Sequence, residues 1–306
     1  MGIVNKVYSL SEIDFIVHQI ADRQDPRKVV MCTPEYYDVK DVKNVYMNNK
    51  AVNPLVVKRQ WLKLKDEYLR LKDRKLIDDL LFIRGVPECE DMVFVINQSF
   101  PWQYATGEKV AVMSKMKHSS RQKEIEFVKQ FYLEIGYNVL ELNRTLVFEG
   151  QGDTLPHPGK RLLYGGYGHR TTKEAYDEIA ELLRVPVVAL ELIDERFYHL
   201  EKCFLPLDID TVMICPEAFT FESLQAIKLM FKNVIRIPPI EASGRFSLTS
   251  HILYDRKTKT KSALIHYGSS FAYQALEKEG FDIVEVDTSE FIKSGGSVAG
   301  LKMMIY

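Results

Sequence analysis

Short runs of β-branched and apolar residues recur from one end of the chain to the other, and polar or turn-forming residues bound each run. Such runs are typical of strands buried in a sheet. They predict strands at residues 28–34, 92–100, 109–115, 137–143, 144–150, 161–166, 185–192, 211–216, 233–239, 262–270 and 281–286. The closing stretch SGGSVAGLKMMIY, residues 294–306, predicts a tight turn followed by a last buried strand.

Longer amphipathic stretches separate these strands and predict helices. The clearest one places apolar side chains along a single stripe, namely Val56, Trp61, Leu64, Tyr68 and Leu71. The predicted helices lie at residues 53–74, 119–135, 172–184, 221–232 and 271–279. Several of them lie between pairs of strands, which favours a repeated β-β-α-β unit of roughly 50 to 60 residues. Because no long linker or low-complexity segment interrupts this order, we predict one α/β domain over residues 1–306.

Composition and charge exclude several classes of protein. The 306 residues carry a formal net charge of −1, whereas proteins that bind nucleic acids or membrane surfaces usually have a basic excess. No apolar run reaches the ~18 residues that a membrane helix requires. The four cysteines include no CxxC pair, so we expect neither a disulfide framework nor a zinc site. The first residues do not match a secretory signal, and a cytoplasmic location is expected.

Two acidic motifs are candidates for chemistry. In ECEDMVFVINQSF, residues 88–100, Asp91 stands at the entrance of a predicted strand and Asn97 inside it. The alternative is a capping aspartate and a hydrogen-bonded strand asparagine. In VFEGQGDTLP, residues 147–156, Glu149 and Asp153 flank glycines directly after a predicted strand. Two carboxylates held at such a loop tip attract a cation or share a metal, and the alternative is a surface turn.

Two further motifs carry histidines. YGGYGHRTT, residues 164–172, presents His169 and Arg170 before a predicted helix but does not match a phosphate-binding loop. An anionic ligand would offset the unfavourable position of Arg170 at a helix start. In ERFYHLEKCFLPLD, residues 195–208, His199 and Glu201 share a face if the stretch is extended. A carboxylate beside a histidine favours a general acid or base, although a single histidine is often structural.

Taken in order, these motifs resemble the guanidino-group-modifying superfamily of arginine deiminases, arginine dihydrolases, dimethylarginine dimethylaminohydrolases and amidinotransferases. The resemblance covers nearly the whole chain and is closest to the dihydrolase and dimethylarginine hydrolase type. Its motifs are MCTPEYYDVKDVKNVYMN, WLKLKDEY, EDMVFVINQSF, MKHSSRQKE, FEGQGD, GYGHRT, FYHLEKCF and SGGSV. The resemblance implies a five-bladed α/β propeller, the pentein fold, with the active site in its central channel. It also implies a small guanidino substrate, no cofactor and a possible homodimer.

The resemblance implies a role for each candidate residue. Glu149 and Asp91 would hold the guanidinium by bidentate contacts, with Glu201 and Asp153 nearby. His199 would be the general acid and base. The remaining matches are the dihydrolase-type asparagines and the arginines that would grip the substrate's α-carboxylate, namely Asn44, Asn97, Arg121 and Arg170. A cysteine thiolate would attack the guanidinium carbon, and water would then release the product, which is ornithine for a dihydrolase.

That cysteine is missing from the expected place. The family pattern GGSVxCLT puts it at Gly300, or at Ala299 if the turn is one residue shorter. Cys203 is not expected to substitute. We therefore expect a guanidino hydrolase whose nucleophile has been replaced, either deliberately, with alanine at 299, or by natural loss.

Other functions stay open. The first is a non-catalytic guanidino-binding protein or sensor on the same fold. The second is a metal hydrolase built on Glu149, Asp153, His169 and His199. The choice between deiminase, dihydrolase and dimethylarginine hydrolase chemistry also stays open, with Asn44 and Asn97 favouring the dihydrolase.

Overall fold

The computed structural model describes residues 3–47, 51–143 and 146–306. Its first strands are β1 (Val7–Tyr8), β2 (Lys28–Cys32), β3 (Asp79–Ile83), β4 (Ser99–Gln103), β5 (Lys109–Met113), β6 (Asn138–Leu140), β7 (Thr154–Pro156) and β8 (Leu163–Tyr167). The later strands are β9 (Val187–Glu191), β10 (Phe204–Pro206), β11 (Thr211–Ile214), β12 (Asn233–Arg236), β13 (His251–Asp255), β14 (Thr260–His266), β15 (Asp282–Val286) and β16 (Met303–Ile305). The helices are α1 (Pro54–Asp73), α2 (Ser119–Gln122), α3 (Glu124–Glu134), α4 (Gly150–Asp153), α5 (Ala175–Leu183), α6 (Phe221–Met230), α7 (Pro239–Gly244), α8 (Ser270–Lys278) and α9 (Ser289–Ile292).

Within these ranges the strands form five small sheets of one design. In β4-β5-β6, β7-β8-β9, β10-β11-β12 and β13-β14-β15, two antiparallel strands are followed by a helix and by a third strand parallel to the second. The short strand β1 extends one sheet by pairing with β9. The repeated β-β-α-β order expected from the sequence is therefore present in the sheets.

The fifth sheet joins the two ends of the sequence. Strand β16 runs antiparallel to β2, with Met303 opposite Val30, and β2 runs parallel to β3 across α1. The side chain of Gln151 adds to this pairing because it donates to the carbonyl of Met304 at 2.7 Å and accepts from its N–H at 3.1 Å. The closing stretch is thus a turn and a buried last strand, as predicted, and it completes a sheet that residues 28–32 begin.

Helix α1 shows why the apolar stripe was a reliable signal. Asn53 caps its first turn by accepting from the backbone N–H groups of Leu55 and Val56. The face predicted from the sequence is buried from Trp61 to Leu71, although Val57 rather than Val56 begins it. The indole N–H of Trp61 donates to the carbonyl of Cys32 at 2.9 Å, which ties the helix to β2. Elsewhere, α3, α5 and α6 lie within the predicted helices, and α8 begins one residue before its predicted range.

Two predicted strands are wrong. Most of the run 92–100 forms turns and a short 3₁₀ helix at Val95–Asn97, and β4 begins only at Ser99. Its apolar residues are enclosed on all sides, so their composition reflects burial rather than a pleated strand. In the run 144–150, Arg144 and Thr145 lie outside the described residues. The rest contributes only an isolated bridge at Phe148 before α4.

In the described part of the chain, no helix combines the length and apolar character needed to cross a bilayer.

Candidate functional site

A pocket with an empty volume of about 400 Å³ lies where loops from all five sheets meet. Most of the residues singled out from the sequence line it, namely Asn44, Asp91, Asn97, Arg121, Arg170, His199, Glu201 and Gly300. They come from segments that follow β2, β5 and β8, that precede β4 and β10, and that join β15 to β16. Chain segments far apart in sequence are therefore brought together around one small space.

His199 lies between two carboxylates. Its Nδ1 is 3.1 Å from Asp153 Oδ1, and its Nε2 is 3.2 Å from Glu149 Oε2. The amide nitrogen of Asn97 is 3.3 Å from the same Nε2, and the oxygen of that amide accepts from Arg121 at 3.0 Å. The imidazole is thus fixed in orientation from both sides.

The charges of this group favour a protonated imidazole. Burial alone lowers the pKa of His199, but Asp153 and Glu149 outweigh it and raise the pKa above the ordinary value. Burial raises the pKa of Glu149, because it disfavours the charged carboxylate. His199 and Arg170 together have the larger effect and keep that pKa well below its usual range. An imidazolium beside a carboxylate is suited to donate a proton to a leaving group.

Two glycines allow the carboxylates to reach His199. Gly150 has φ +54°, and an added Cβ would lie 2.4 Å from the carbonyl oxygen of Ser99. A Cβ on Gly152 would lie 2.3 Å from Asn97 Nδ2 and 3.3 Å from His199 Nδ1. The GQGD segment is therefore the short, fully buried helix α4 rather than a loop tip, and the surface-turn alternative is wrong.

Asp153 and Glu149 are saturated by partners from the chain. Asp153 Oδ2 accepts from the hydroxyl of Thr171 at 2.7 Å, and Oδ1 accepts from the N–H of Leu200 at 3.1 Å. Glu149 Oε1 accepts from the N–H of Lys117 at 2.9 Å. These two carboxylates hold His199, and the guanidinium-binding role that the resemblance implies for Glu149 stays a prediction.

The carboxylates on the pocket wall with unused acceptor positions are instead Asp91 and Glu201. Both oxygens of Asp91 and Oε2 of Glu201 are buried without a hydrogen bond of regular geometry among the described residues. Lys43 Nζ lies 3.0 Å from Asp91 Oδ2, and Lys202 Nζ lies 3.6 Å from Glu201 Oε1. Carboxylates with unused acceptor positions that face a pocket are suited to bind a cationic donor. Glu201 reaches the pocket from a 3₁₀ turn, Leu200–Lys202, rather than from the extended stretch considered in the sequence.

Arg121 uses its donors inside the protein. Its Nε and Nη2 bind Glu124, at 3.1 and 2.9 Å, and Nη2 also reaches the carbonyls of Asp91 and Phe94. It therefore holds the turn before β4 and orients Asn97, and the substrate-carboxylate role that the resemblance implies for it stays a prediction.

Arg170 is also engaged, although it lines the pocket. Its Nη1 lies 3.2 Å from Glu149 Oε2, and its Nη2 donates to the carbonyl of Lys43 at 2.8 Å. Its guanidinium lies over the ring of Tyr198 at 4.6 Å. It stands in a bend five residues before α5 begins at Ala175, so the helix-start argument made from the sequence does not apply.

A glycine turn closes one side of the pocket. Asn44 donates to the carbonyl of Ser294 at 3.0 Å, and Tyr198 donates to the carbonyl of Gly295 at 2.7 Å. The ammonium of Lys202 also binds the carbonyl of Gly295 and lies 4.5 Å from the ring centre of Phe246. Sequence reasoning missed Lys43, Tyr198 and Lys202, although Lys43 directly precedes Asn44 in the motif KNVYM.

Gly300 and Ala299 are placed differently. Gly300 lines the pocket, whereas Ala299 is not among the described lining residues and its N–H donates to the carbonyl of Thr249 at 3.1 Å. Cys203 is buried, and burial raises the pKa of its thiol well above the ordinary value, which disfavours the thiolate. Among the described residues, no set of three or more His, Cys, Asp or Glu side chains has an arrangement that could hold a metal ion.

Comparisons with known proteins agree on one family. A family profile described as "N,N dimethylarginine dimethylhydrolase, eukaryotic" matches residues 34–305. The bifunctional arginine dihydrolase/ornithine cyclodeaminase ArgZ of Synechocystis is 33% identical over 285 residues, which are 92% of this chain and 38% of that protein. A dimethylarginine dimethylaminohydrolase of Mycobacterium tuberculosis is 33% identical over 273 residues, which are 89% of this chain and 83% of that protein.

Solved structures give the same result. The N-terminal domain of ArgZ, as a Cys-to-Ser mutant bound to substrate, matches with a TM-score of 0.82 and 29% identity, over 91% of this chain and 97% of that chain. A dimethylarginine dimethylaminohydrolase adduct, at 16% identity and a TM-score of 0.70, shares the fold. The chain spans about 38% of the length of the two cyanobacterial bifunctional relatives.

Proposed function

Because the chain belongs to the dimethylarginine dimethylaminohydrolase and arginine dihydrolase family of the pentein superfamily, we propose that its pocket binds arginine or a close analogue. We further propose that the chain as it stands does not hydrolyse this ligand by covalent chemistry. Gly300 carries the second part of the proposal: it lies on the pocket wall where the resemblance calls for a nucleophile and has no side chain.

We infer that the five sheets surround the pocket as the five blades of a propeller. The inference is supported by the common β-β-α-β order of the sheets and by the contribution that segments next to each of them make to the pocket. A pocket built in this way takes its polar side chains from several separate segments, so its geometry does not depend on any single loop.

The retained groups are those that the reaction needs apart from its nucleophile. In an intact site, a cysteine sulfur at 300 would form a bond to the guanidinium carbon, and the C–N bond to the amine would break as the His199 imidazolium gives that nitrogen a proton. The neutral His199 would then take a proton from water, whose oxygen attacks the same carbon and breaks the C–S bond. Asp91 and Glu201 have oxygens without a regular hydrogen bond that could hold the cationic guanidinium during these steps.

Without a thiolate the first step has no attacking atom. His199 is held between two carboxylates as a proton donor, which removes the lone pair that a nucleophile requires. A bound guanidinium would be positioned but not attacked. Deliberate replacement of the cysteine and its natural loss both predict this behaviour.

The local geometry at Gly300 makes the proposal testable. An added Cβ would lie 3.4 Å from Phe94 Cδ1 and 3.4 Å from the carbonyl oxygen of Ser297, which is ordinary van der Waals contact. A cysteine at this position should therefore be accommodated without rearrangement. Ala299 offers a matched control because it is adjacent in sequence but is not among the described residues of the pocket wall.

The experiment combines calorimetry with an ammonia assay. We expect the protein to bind L-arginine without releasing ammonia, Gly300→Cys to release ammonia, and Ala299→Cys to remain inactive. Adding His199→Ala to Gly300→Cys should abolish that release while the fold is kept. If neither the protein nor Gly300→Cys binds arginine or an N-methylated arginine, the proposal is wrong.

The second candidate function is guanidino-ligand binding by a naturally non-catalytic protein or sensor. The ion contact between Lys43 and Asp91 favours it, because hydrolysis does not require a lysine beside the protein carboxylate that would hold the ligand. Arginine binding by Gly300→Cys without ammonia release would select this candidate over an enzyme that lacks only its nucleophile.

A further inference from the structure

Asp91 is a pocket carboxylate whose two oxygens receive little hydrogen bonding from the rest of the fold. Its side chain is 3% exposed, and neither oxygen accepts a hydrogen bond of regular geometry from a described residue. A buried carboxylate of this kind needs a cation in contact with it, because an uncompensated charge in the interior is costly. In this structure the nearby cation is the ammonium of Lys43, 3.0 Å from Oδ2.

Lys43 is placed where a ligand's cation would bind. Its side chain is 4% exposed and lines the pocket, and its Nζ also contacts Glu90 Oε1 at 3.2 Å. The two acidic residues raise the pKa of Lys43 although burial opposes them, so the side chain stays charged. A positive charge supplied by the chain therefore occupies the acidic end of the pocket.

Other carboxylates at or behind the pocket wall are also faced by basic groups of the chain. The pairs are Glu149 with Arg170, Asp153 with His199, Glu124 with Arg121 and Glu201 with Lys202. Arg170 and Arg121 each make further hydrogen bonds to backbone carbonyls, which hold them in place. Lys43 Nζ has carboxylate contacts alone among the interactions described, so it is the basic group that can leave most easily.

Resting on the proposed function, we propose that Lys43 is an internal substitute for the ligand's cation. Its ammonium occupies the place at Asp91 that a guanidinium takes, and a ligand binds when this side chain swings outward. The outward position is supplied by Asp41, whose Oδ2 lies 3.7 Å from Lys43 Nζ and whose side chain is 64% exposed. The ammonium leaves its buried partners Asp91 and Glu90, keeps the exposed Asp41 and regains water.

The exchange favours guanidinium ligands over simple amines. A guanidinium presents five N–H donors in one plane and can satisfy both oxygens of Asp91, whereas the ammonium of Lys43 satisfies neither in regular geometry. A ligand amine would only replace one ammonium with another. The backbone need not move, because the carbonyl of Lys43 stays bound to Arg170 at 2.8 Å while the side chain rotates.

Competition from Lys43 sets the affinity of the pocket. If the side chain occupies the inward position in about nine molecules of ten, the apparent dissociation constant is raised about tenfold over that of the open pocket. Lys43→Met should therefore bind L-arginine at least about tenfold more tightly. Lys40→Met, an exposed lysine in the same segment, should leave the affinity unchanged.

The test is titration calorimetry of the full chain with L-arginine, using the parent protein, Lys43→Met and Lys40→Met. Lys43→Gln is the second variant if Lys43→Met fails to fold, because it removes the charge but leaves Asp91 an amide donor. Tighter binding by either Lys43 variant supports the inference, including the case in which the parent binds too weakly to measure. Equal binding by parent and variant overturns the inference and leaves the proposed function standing. Absence of binding in all the folded variants overturns both.

Discussion

Burial of the Lys302 ammonium should cost the fold a measurable amount of stability. This residue follows Gly300 by two positions and is 8% exposed. Burial lowers the pKa of Lys302 from 10.5 to about 8, and the negative charge of Glu201 offsets only part of that effect. Lys302→Met keeps the length of the side chain and removes the charge, so it isolates the electrostatic cost.

The magnitude follows from the two pKa values. At about 1.4 kcal/mol for each pH unit, the difference between 10.5 in the unfolded chain and about 8 in the fold corresponds to about 3 kcal/mol. Below pH 8 the lysine is protonated in both states and the folded state bears the whole cost. Between pH 8 and 10.5 the unfolded chain binds more protons, so the stability of the parent protein rises with pH.

Urea unfolding at several pH values measures this effect. We expect Lys302→Met to be more stable than the parent by about 3 kcal/mol at pH 7, by about 1 kcal/mol at pH 10, and by little above that. Lys58→Met on the exposed face of α1 is the control and should change stability by less than about 0.5 kcal/mol at every pH. An equal stability of Lys302→Met and the parent at pH 7, or a difference that does not depend on pH, would refute the reasoning.

Two other buried titratable groups, Arg121 and His157, lead to predictions about the stability of the fold. Arg121→Met should lower the free energy of unfolding by about 3–5 kcal/mol, because Glu124 is left without its partner inside the protein, and adding Glu124→Gln should recover part of the loss. Equal stability of the parent and Arg121→Met in denaturant titrations would contradict this. Burial lowers the pKa of His157 from 6.5 to about 4, so the fold should lose about 3 kcal/mol as pH falls between those values, and His157→Gln should lose less. Parallel acid-unfolding curves for parent and variant would rule out this role of His157.

Local patterns were enough to predict most of the regular structure. Helix α1 was readable because its apolar face repeats at the helical period over twenty residues. The strands β5, β9 and β14 were readable because apolar, β-branched runs are bounded by turns. The segment before β4 was not, because the residues around Val95 are buried on every side and a buried turn has the same composition as a buried strand.

The contacts of the site divide in a similar way, into those that local spacing could predict and those that it could not. Arg121 and Glu124 stand three residues apart, and helical spacing alone could have paired them. The contact between Lys43 and Asp91 joins residues 48 positions apart that no local pattern relates. The placing of Glu149 and Asp153 about His199 was not anticipated from the sequence, because it depends on how separate segments meet.

The pairing of β16 with β2 has a consequence for synthesis of the protein. Residues 28–32 leave the ribosome early, but their antiparallel neighbour, residues 303–305, is translated some 270 residues later. During that interval one edge of β2 lacks its partner, and the buried side chains of Val29, Val30 and Met31 await part of their packing. The wall that carries Gly300 is translated after the other segments that line the pocket, so the pocket stays incomplete until this segment joins them.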